Sequence, residues 1–413
     1  MSNHAAHWDL ESDLVFLNHG SFGAAPRCVL EEQARLRAEL ESSPVRFMYR
    51  ELEPRLDAAR ERLGALVGAE PSGLVFVPNA TTGVNTALAV LTGQCDSGDG
   101  GEGPAETQVG PGDEVLILDP EYNATANAVR FAAARVGASV RVVPVPFPLQ
   151  DSAEITERVL AAVSKQTRLV VIDHIVSQTG LVLPIEDIIF ELRELGIETL
   201  VDGAHGPGHL PLSLDDLGAA FYTGNCHKWL CTPKGSAMLH IREDWRARTR
   251  PLVISHGANA TRKDRSRLHL EFDWPGTFDP TPFLVLPTAL DFLEGLFPDG
   301  IDELQLRNRE LTVEAQGLLC EALGIERPAP TDMLGALASI PLPNYPTARQ
   351  APAIQRGPLD LDPLHVWLHD ERRIEVPVFP LGDRTILRTS AQAYNEREDY
   401  VQLAAALGEW YAG

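Results

Sequence analysis

At 413 residues and 45.1 kDa the chain is too long for one small module, and 44% hydrophobic with 23% charged residues is the profile of a globular protein whose core needs neither disulfides nor metal. Its 58 acidic against 35 basic residues leave a formal charge of -23, which repels nucleic-acid backbones and anionic lipid surfaces alike. Disorder, a mini-scaffold and general DNA or RNA binding are excluded.

No apolar run approaches the ~20 residues that span a bilayer. The opening MSNHAAHWDLESD is acidic where a signal peptide is basic and then apolar, so a cytoplasmic protein without a membrane partner is expected. Five cysteines without CxxC spacing fit reduced thiols in that compartment. Only four of the basic residues are lysines, Lys165, Lys228, Lys234 and Lys263. Chemistry that requires a primary amine therefore has few places to occur.

Along the chain, short apolar runs that read as buried parallel strands fall at 74–77 (LVFV), 114–118 (EVLIL), 169–173 (LVVID) and 198–202 (ETLVD). Between several of them lie Ala/Leu/Arg/Glu-rich stretches long enough for helices, such as 124–136 and 185–195. The alternation predicts an α/β sheet covered on both faces, with ligands beyond the carboxyl ends of its strands. Residues 92–112 hold seven glycines in 21 positions and almost no large apolar group, which predicts a mobile surface loop. Helical spacing at 311–324, a Pro-rich polar stretch at 341–363, helix-like HVWLHDE and strand-like TILRTS predict a smaller α+β domain. The expected division is an N-terminal segment 1–45 packing with the small domain, a large domain 46–295 and the small domain 296–413.

Three stretches can carry chemistry. Pro78-Asn79-Ala80-Thr81-Thr82-Gly83 lies between a strand and a helix beginning near Gly83; a helix start with threonine hydroxyls can hold a phosphate, though Asn or Thr there also serves simply as an N-cap. Asp202, closing the run ETLVD, places a carboxylate at a strand's end with His205 three residues on, an arrangement that suits a protonated ring nitrogen or a plain turn. His205 and His209 have the spacing of zinc ligands on a helix, but Gly206, Pro207 and Gly208 between them disfavour that helix, so no metal is expected. Lys228, in Tyr222-Thr223-Gly224-Asn225-Cys226-His227-Lys228-Trp229, sits among apolar neighbours, where burial lowers an amine's pKa and makes it a nucleophile; the plainer reading is a lysine with its head in water. A phosphate turn, Tyr122 after EVLIL, Asp202 and, 26 residues on, Lys228 together supply what a pyridoxal phosphate site requires.

The motifs NATTGVN, DGAHGPG and TGNCHKW, with NHGSFG near the start and LRTSAQAYN near the end, make the sequence resemble the class V aminotransferase family of fold-type I pyridoxal phosphate enzymes. Within it the isopenicillin N epimerase-like branch is most similar, and cysteine desulfurases are more distant. The resemblance implies an aspartate aminotransferase-like fold, a mostly parallel seven-stranded sheet in the large domain and a smaller α+β domain. It further implies that Lys228 holds pyridoxal 5'-phosphate, Asp202 pairs with the ring nitrogen and His205 sits near the phenolate oxygen. Ala80, Thr81, Asn225 and His227 would bind phosphate, Tyr122 would stack on the ring, and Gln178 would make a polar contact to the cofactor. Thr277, in Trp274-Pro275-Gly276-Thr277, would reach a phosphate in the neighbouring protomer of a homodimer with shared sites. Arg388 would clamp the substrate α-carboxylate, and His19 would line the substrate pocket. A core tyrosine, a structural loop at Thr277, a surface ion pair at Arg388 and a helix-entry turn at His19 are the competing readings.

Cysteine desulfurases carry a persulfide-forming cysteine some fifteen residues before that arginine, and residues 372–379 here contain none. The expected activity is α-carbon chemistry on an amino acid or amino-acid-containing peptide, foremost epimerisation, with C-S lyase or aminotransferase chemistry as alternatives. A different class, a non-catalytic scaffold binding metal through His205, His209 and His227, is the remaining alternative.

Overall fold

A computed structural model describes residues 4–94, 108–346 and 360–412. Most of the glycine-rich 92–112 stretch and much of 341–363 therefore lie outside the described residues. Twelve strands are present among them: β1 (Val15–Phe16), β2 (Leu74–Val77), β3 (Glu114–Leu118), β4 (Ser139–Val143), β5 (Thr167–Asp173), β6 (Glu198–Asp202), β7 (Phe221–Asn225), β8 (Ala237–Ile241), β9 (Leu337–Pro341), β10 (Ile374–Glu375), β11 (Val378–Leu381) and β12 (Arg384–Ser390).

Seven of these form one sheet in the order β2-β8-β7-β6-β5-β3-β4. Pairing is parallel from β7 through β4, and β8 is antiparallel to both its neighbours. The strand at 74–77 thus runs in the expected direction, but its only partner in the sheet is the reversed β8. Apolar side chains of β2, β3, β5 and β6 are buried on both faces, which is why these runs are continuous rather than alternating. β4, at the edge, is largely solvated, and its sequence SVRVV mixes accordingly.

Helix Ala80–Leu91 packs across the sheet so closely that Gly83 lies against β7: a Cβ there would stand 2.7 Å from the Thr223 Cβ. The helix starts at Ala80, ahead of the expected Gly83, because the Asn79 side chain accepts the Thr82 N–H and closes the first turn. Helices Asn123–Val136 and Ile185–Glu194 occupy the other two expected stretches.

β9, β11 and β12 form an antiparallel sheet in the order β11-β12-β9, covered by helices Gly300–Leu323, Pro363–Arg372 and Arg397–Ala412 around a core that includes Leu319, Ile340, Leu387, Leu403 and Trp410. The N-terminal segment is stitched to it: β1 pairs in parallel with β10, and Asn395 Nδ2 donates to the Phe16 carbonyl at 3.0 Å. Leu17 is buried in the same core. No helix among the described residues is long and apolar enough to cross a membrane.

The Gly83 contact yields a prediction of unusual sign. Gly83→Ala should lower the thermal unfolding midpoint, reflecting roughly 1–3 kcal/mol of overpacking, although an exposed helical position would gain about 1 kcal/mol from the same change. A stabilised variant would show that the helix does not press on β7.

Candidate active site

Carboxyl ends of β3, β5, β6 and β7, the first turn of helix Ala80–Leu91 and the N-terminal segment converge on one cleft. Its lining includes Ser21, Phe22, Asn79, Ala80, Thr81, Tyr122, Asp173, Ser177, Asp202, Ala204, His205, Asn225, His227 and Lys228.

Lys228 stands in the turn after β7, partly open to the cleft. Burial of its Nζ, aided by the Arg388 charge, brings the amine down to about 7. Its Nζ lies 3.1 Å from His205 Nε2, and the Trp229 indole N–H donates to His205 Nδ1 at 3.3 Å. An indole nitrogen is only a donor, so Nδ1 is the acceptor and the proton of the neutral imidazole resides on Nε2. Burial first, then the Lys228 and Arg388 charges, hold His205 well below its ordinary value, so the ring is neutral. Nε2–H therefore donates to Lys228, which needs the lone pair of an uncharged amine.

Asp202 is buried at the end of β6; Thr125 Oγ1 donates to Oδ2 at 2.6 Å and the Ala204 N–H to Oδ1 at 3.1 Å. Desolvation raises this carboxyl, and those two donors and Lys228 oppose the rise. At the phosphate turn, Asn225 Oδ1 accepts the Ala80 N–H at 2.9 Å, tying β7 to the helix start. That removes one expected donor and leaves the Thr81 N–H, in the first turn, without an intrahelical acceptor. His227 Nδ1 bonds the Ser236 carbonyl at 3.0 Å, and burial lowers the ring to about 4. Its Nε2 becomes a donor to a phosphate oxygen only on taking up a proton, which an anion there favours.

The donor set fits pyridoxal phosphate: an uncharged amine, a buried carboxylate with one donor per oxygen, a helix N-terminus with the exposed Thr81, and a tyrosine at the mouth. Tyr122 lines the cleft at 44% exposure, so a core role is ruled out for it. Arg388 is buried on β12, with Nη1 donating to the Ser177 carbonyl at 2.5 Å and Nη2 to Ser21 Oγ at 3.0 Å, so it is no surface ion pair.

Other expected residues fall elsewhere. His19 does not line the cleft; it is fully buried beneath it, its Nε2 bonded to the Lys228 carbonyl at 3.0 Å and its Nδ1 to the Tyr394 hydroxyl at 2.8 Å. Gln178 lies behind the lining, its carbonyl accepting from Ser339 Oγ. Thr277 is exposed and outside the cleft. His209 Nε2 accepts the Ala336 N–H and His227 faces Ser236, so the three histidines of the metal alternative are separately engaged. The one group with metal-binding spacing among the described residues is Glu121, Asp173 and Asp202. Sequence reasoning missed Thr125, Trp229, Ser21, Ser177, Glu121 and Asp173; only Asp173 carried a signal, closing LVVID as Asp202 closes ETLVD.

Comparison with known proteins bears on the family and the fold. The profile of the family described as aminotransferase class-V matches residues 16–399. Isopenicillin N epimerase of Amycolatopsis lactamdurans is 33% identical, over 97% of this chain and 96% of its own. L-cysteine desulfhydrase of Arabidopsis thaliana is 28% identical, over 97% and 88%. Among solved structures, a complex of the cystine C-S lyase C-DES with its reaction product cysteine persulfide superposes with a TM-score of 0.76 at 21% identity, over 97% of this chain and 98% of that one.

The lowered amine makes a titration prediction. Protein stripped of cofactor should take up added pyridoxal phosphate at a rate that climbs as pH rises through about 7, because only the unprotonated Lys228 attacks an aldehyde. Stopped-flow absorbance measures this; a midpoint near that of a free lysine, about 10, would contradict the hydrogen-bond assignment above.

Proposed function

Because the chain belongs to the class V aminotransferase family, we propose that it removes the α proton of an amino acid or amino-acid-containing peptide and epimerises that centre. Its cofactor is pyridoxal 5'-phosphate. When bound, that group supplies an aldehyde for an amine and a protonated ring that draws electrons from the substrate's α carbon.

The chain's own residues divide the remaining work. Lys228 holds the cofactor and, once displaced by the substrate amine, is the base that accepts the α proton at Nζ; its value of about 7 lets it accept and return a proton near neutrality. Asp202 holds the proton of the ring nitrogen, and His205 offers its Nε2–H to the phenolate oxygen. Thr81, Asn225 and His227 hold the phosphate. Arg388 takes the substrate carboxylate in a bidentate grip, with Ser21 and Ser177 fixing the guanidinium.

The observation that carries the reading is the uncharged Lys228 amine facing His205 beside buried Asp202. Epimerisation is supported further by Tyr122. β6 and β5 separate the strand that precedes Tyr122 from the one that precedes Lys228, so the phenol and the amine reach the cleft from opposite flanks. Such an arrangement suits proton removal by one and return by the other. A second reading, C-S lyase, is favoured by the desulfhydrase relatives. Transamination is a third reading, carried by the family's description. Among the described residues no cysteine lines the cleft, and burial pushes the Cys226 and Cys231 thiols up to about 12, which disfavours a protein persulfide.

We place the enzyme in the cytoplasm as a homodimer, Thr277 reaching the partner's phosphate site. Exposed apolar Phe22, Val45, Tyr49 and Val253 support a covering second copy.

Incubation with a panel of amino acids in deuterated water tests the reaction: α-deuteration with loss of chirality is expected. Release of pyruvate, ammonia and a sulfur product would establish the lyase reading instead. Lys228→Ala should lose the visible absorption of the bound cofactor while keeping the fold. Arg388→Lys should raise KM roughly 10- to 100-fold through loss of the bidentate charge-assisted bond.

A further inference from the structure

Beside Asp202 stand two carboxyls that the reaction above leaves unused, one of which, Asp173, also lines the cleft. Asp173 ends β5 in register with Asp202 at the end of β6, and Glu121 lies in the turn after β3, the other neighbour of β5. Three adjacent parallel strands thus each deliver a carboxyl to one edge of the sheet, with an oxygen of each within 4.8 Å of the others. Glu121 is 5% exposed, Asp173 3% and Asp202 3%.

Their hydrogen bonding is unequal. Asp202 has a donor for each oxygen, Thr125 and Ala204. Both oxygens of Glu121 and one of Asp173 are buried with no donor, a condition that ionised carboxylates do not tolerate away from water. The groups acting on Glu121 are Asp173, Asp202 and the Tyr122 N–H; those acting on Asp173 are Asp202, Glu121, the Tyr122 N–H and Lys228. Lys228, the one cation among them, is brought down to about 7 and so supplies only part of a counter-charge at neutrality. Like charges this close in a desolvated space cannot all persist, so protonation is the way the orphaned oxygens find a partner. Burial, then Asp173 and Asp202, push Glu121 upward, whereas burial and the Asp202 charge push Asp173 upward and the hydrogen bond with Glu121 opposes that rise, in keeping with Glu121 as the donor.

We propose that Glu121 and Asp173 share one proton at neutral pH, the Glu121 O–H donating to the Asp173 carboxylate, and that this pair positions Asp202 as the carboxylate presented to the cofactor's ring nitrogen. The proton comes from solvent as the chain folds, and no other bond changes. The pair keeps one negative charge beside Asp202, which favours a protonated ring. Glu121 and Asp173 are positioning residues acting through Asp202. That role rests on the functional reading above, whereas the shared proton does not.

Infrared spectroscopy of the full chain as purified tests the proposal. At about pH 7 a carboxylic-acid C=O band should be present, should shift on exchange into deuterated water, should vanish in Glu121→Gln and should move in Asp173→Asn, whose acceptor differs. A second readout is stability against pH. The folded chain retains a proton that the unfolded one releases above pH ~4, so wild-type stability should decline as pH rises from there toward the pair's own titration. Glu121→Gln supplies an N–H donor without that proton, so its midpoint should gain on the wild type steadily over the same range. No band in the wild type, a band unchanged in both variants, or parallel pH profiles would overturn the shared proton. The band is read whether or not the protein absorbs visible light, so a colourless protein that shows it would sink the cofactor reading and leave the pair standing.

Discussion

A primary amine enclosed by protein atoms gives up its proton more readily than one in water unless a counter-ion bonds it, and the hydrogen bond of Lys228 Nζ is to an imidazole and not to a carboxylate. The group nearest Lys228 Nζ is a neutral imidazole that donates to it. Asp173 and Asp202 act on it only through space. Had a carboxylate occupied the place of His205, the amine would be fixed as an ammonium, inert toward an aldehyde and unable to accept a proton. Trp229 completes the arrangement, because its indole leaves the imidazole one tautomer to adopt. The residue that follows the lysine in the chain thus decides the protonation of the lysine's partner.

The backbone bearing that amine is clamped from below by the N-terminal segment. His19 bonds the Lys228 carbonyl, and Gly23, at φ +69, approaches so closely that a Cβ would lie 2.9 Å from the Lys228 Cα. Lys234 donates to the Gly23 carbonyl at 2.9 Å, which gives a second of the four lysines a structural task. Because β1 pairs with β10 and the Leu17 carbonyl accepts the Ser390 N–H, the same segment also grips the sheet that carries Arg388. One stretch of chain therefore sets the distance between the amine and the arginine. For a reaction that needs the α carbon poised over Nζ while its carboxylate is held, that distance governs the rate.

The parts legible in the sequence were those whose physics is local. Strands buried on both faces read as unbroken apolar runs, so 74–77, 114–118, 169–173 and 198–202 were visible, whereas the solvated edge strand Ser139–Val143 was not. β7 and β8 were obscured by the Gly, Asn and His that they carry. Asp202 and Lys228 were legible through their places at strand ends and the scarcity of lysine. What sequence could not supply was proximity. Thr125 meets Asp202 across 77 positions, Ser177 meets Arg388 across 211, and Ser21 meets it across 367, with no pattern in the chain to announce the pairing. His19 was misplaced for the same reason: its motif marked it as near the site, but the contact to a backbone carbonyl beneath the cleft is a tertiary fact.

Lys228, Asp202 and Arg388 serve epimerisation and elimination equally, since each acts before the two courses separate. The division falls to groups that meet the substrate after its α proton has gone. Elimination needs a proton for a departing sulfur, whereas epimerisation needs one returned to the α carbon from the flank opposite the base. The lining of this cleft includes Ser21, Phe22, Ser177 and Tyr122 and, among the described residues, no cysteine. Of these, Tyr122 enters from the β3 side, with β5 and β6 between that strand and the one that precedes Lys228, and its phenol acts through space on the Arg388 guanidinium. The proposed preference for epimerisation rests on the side of the sheet from which the tyrosine comes, and the proposed α-carbon chemistry rests on the lowered amine together with buried Asp202 and Arg388.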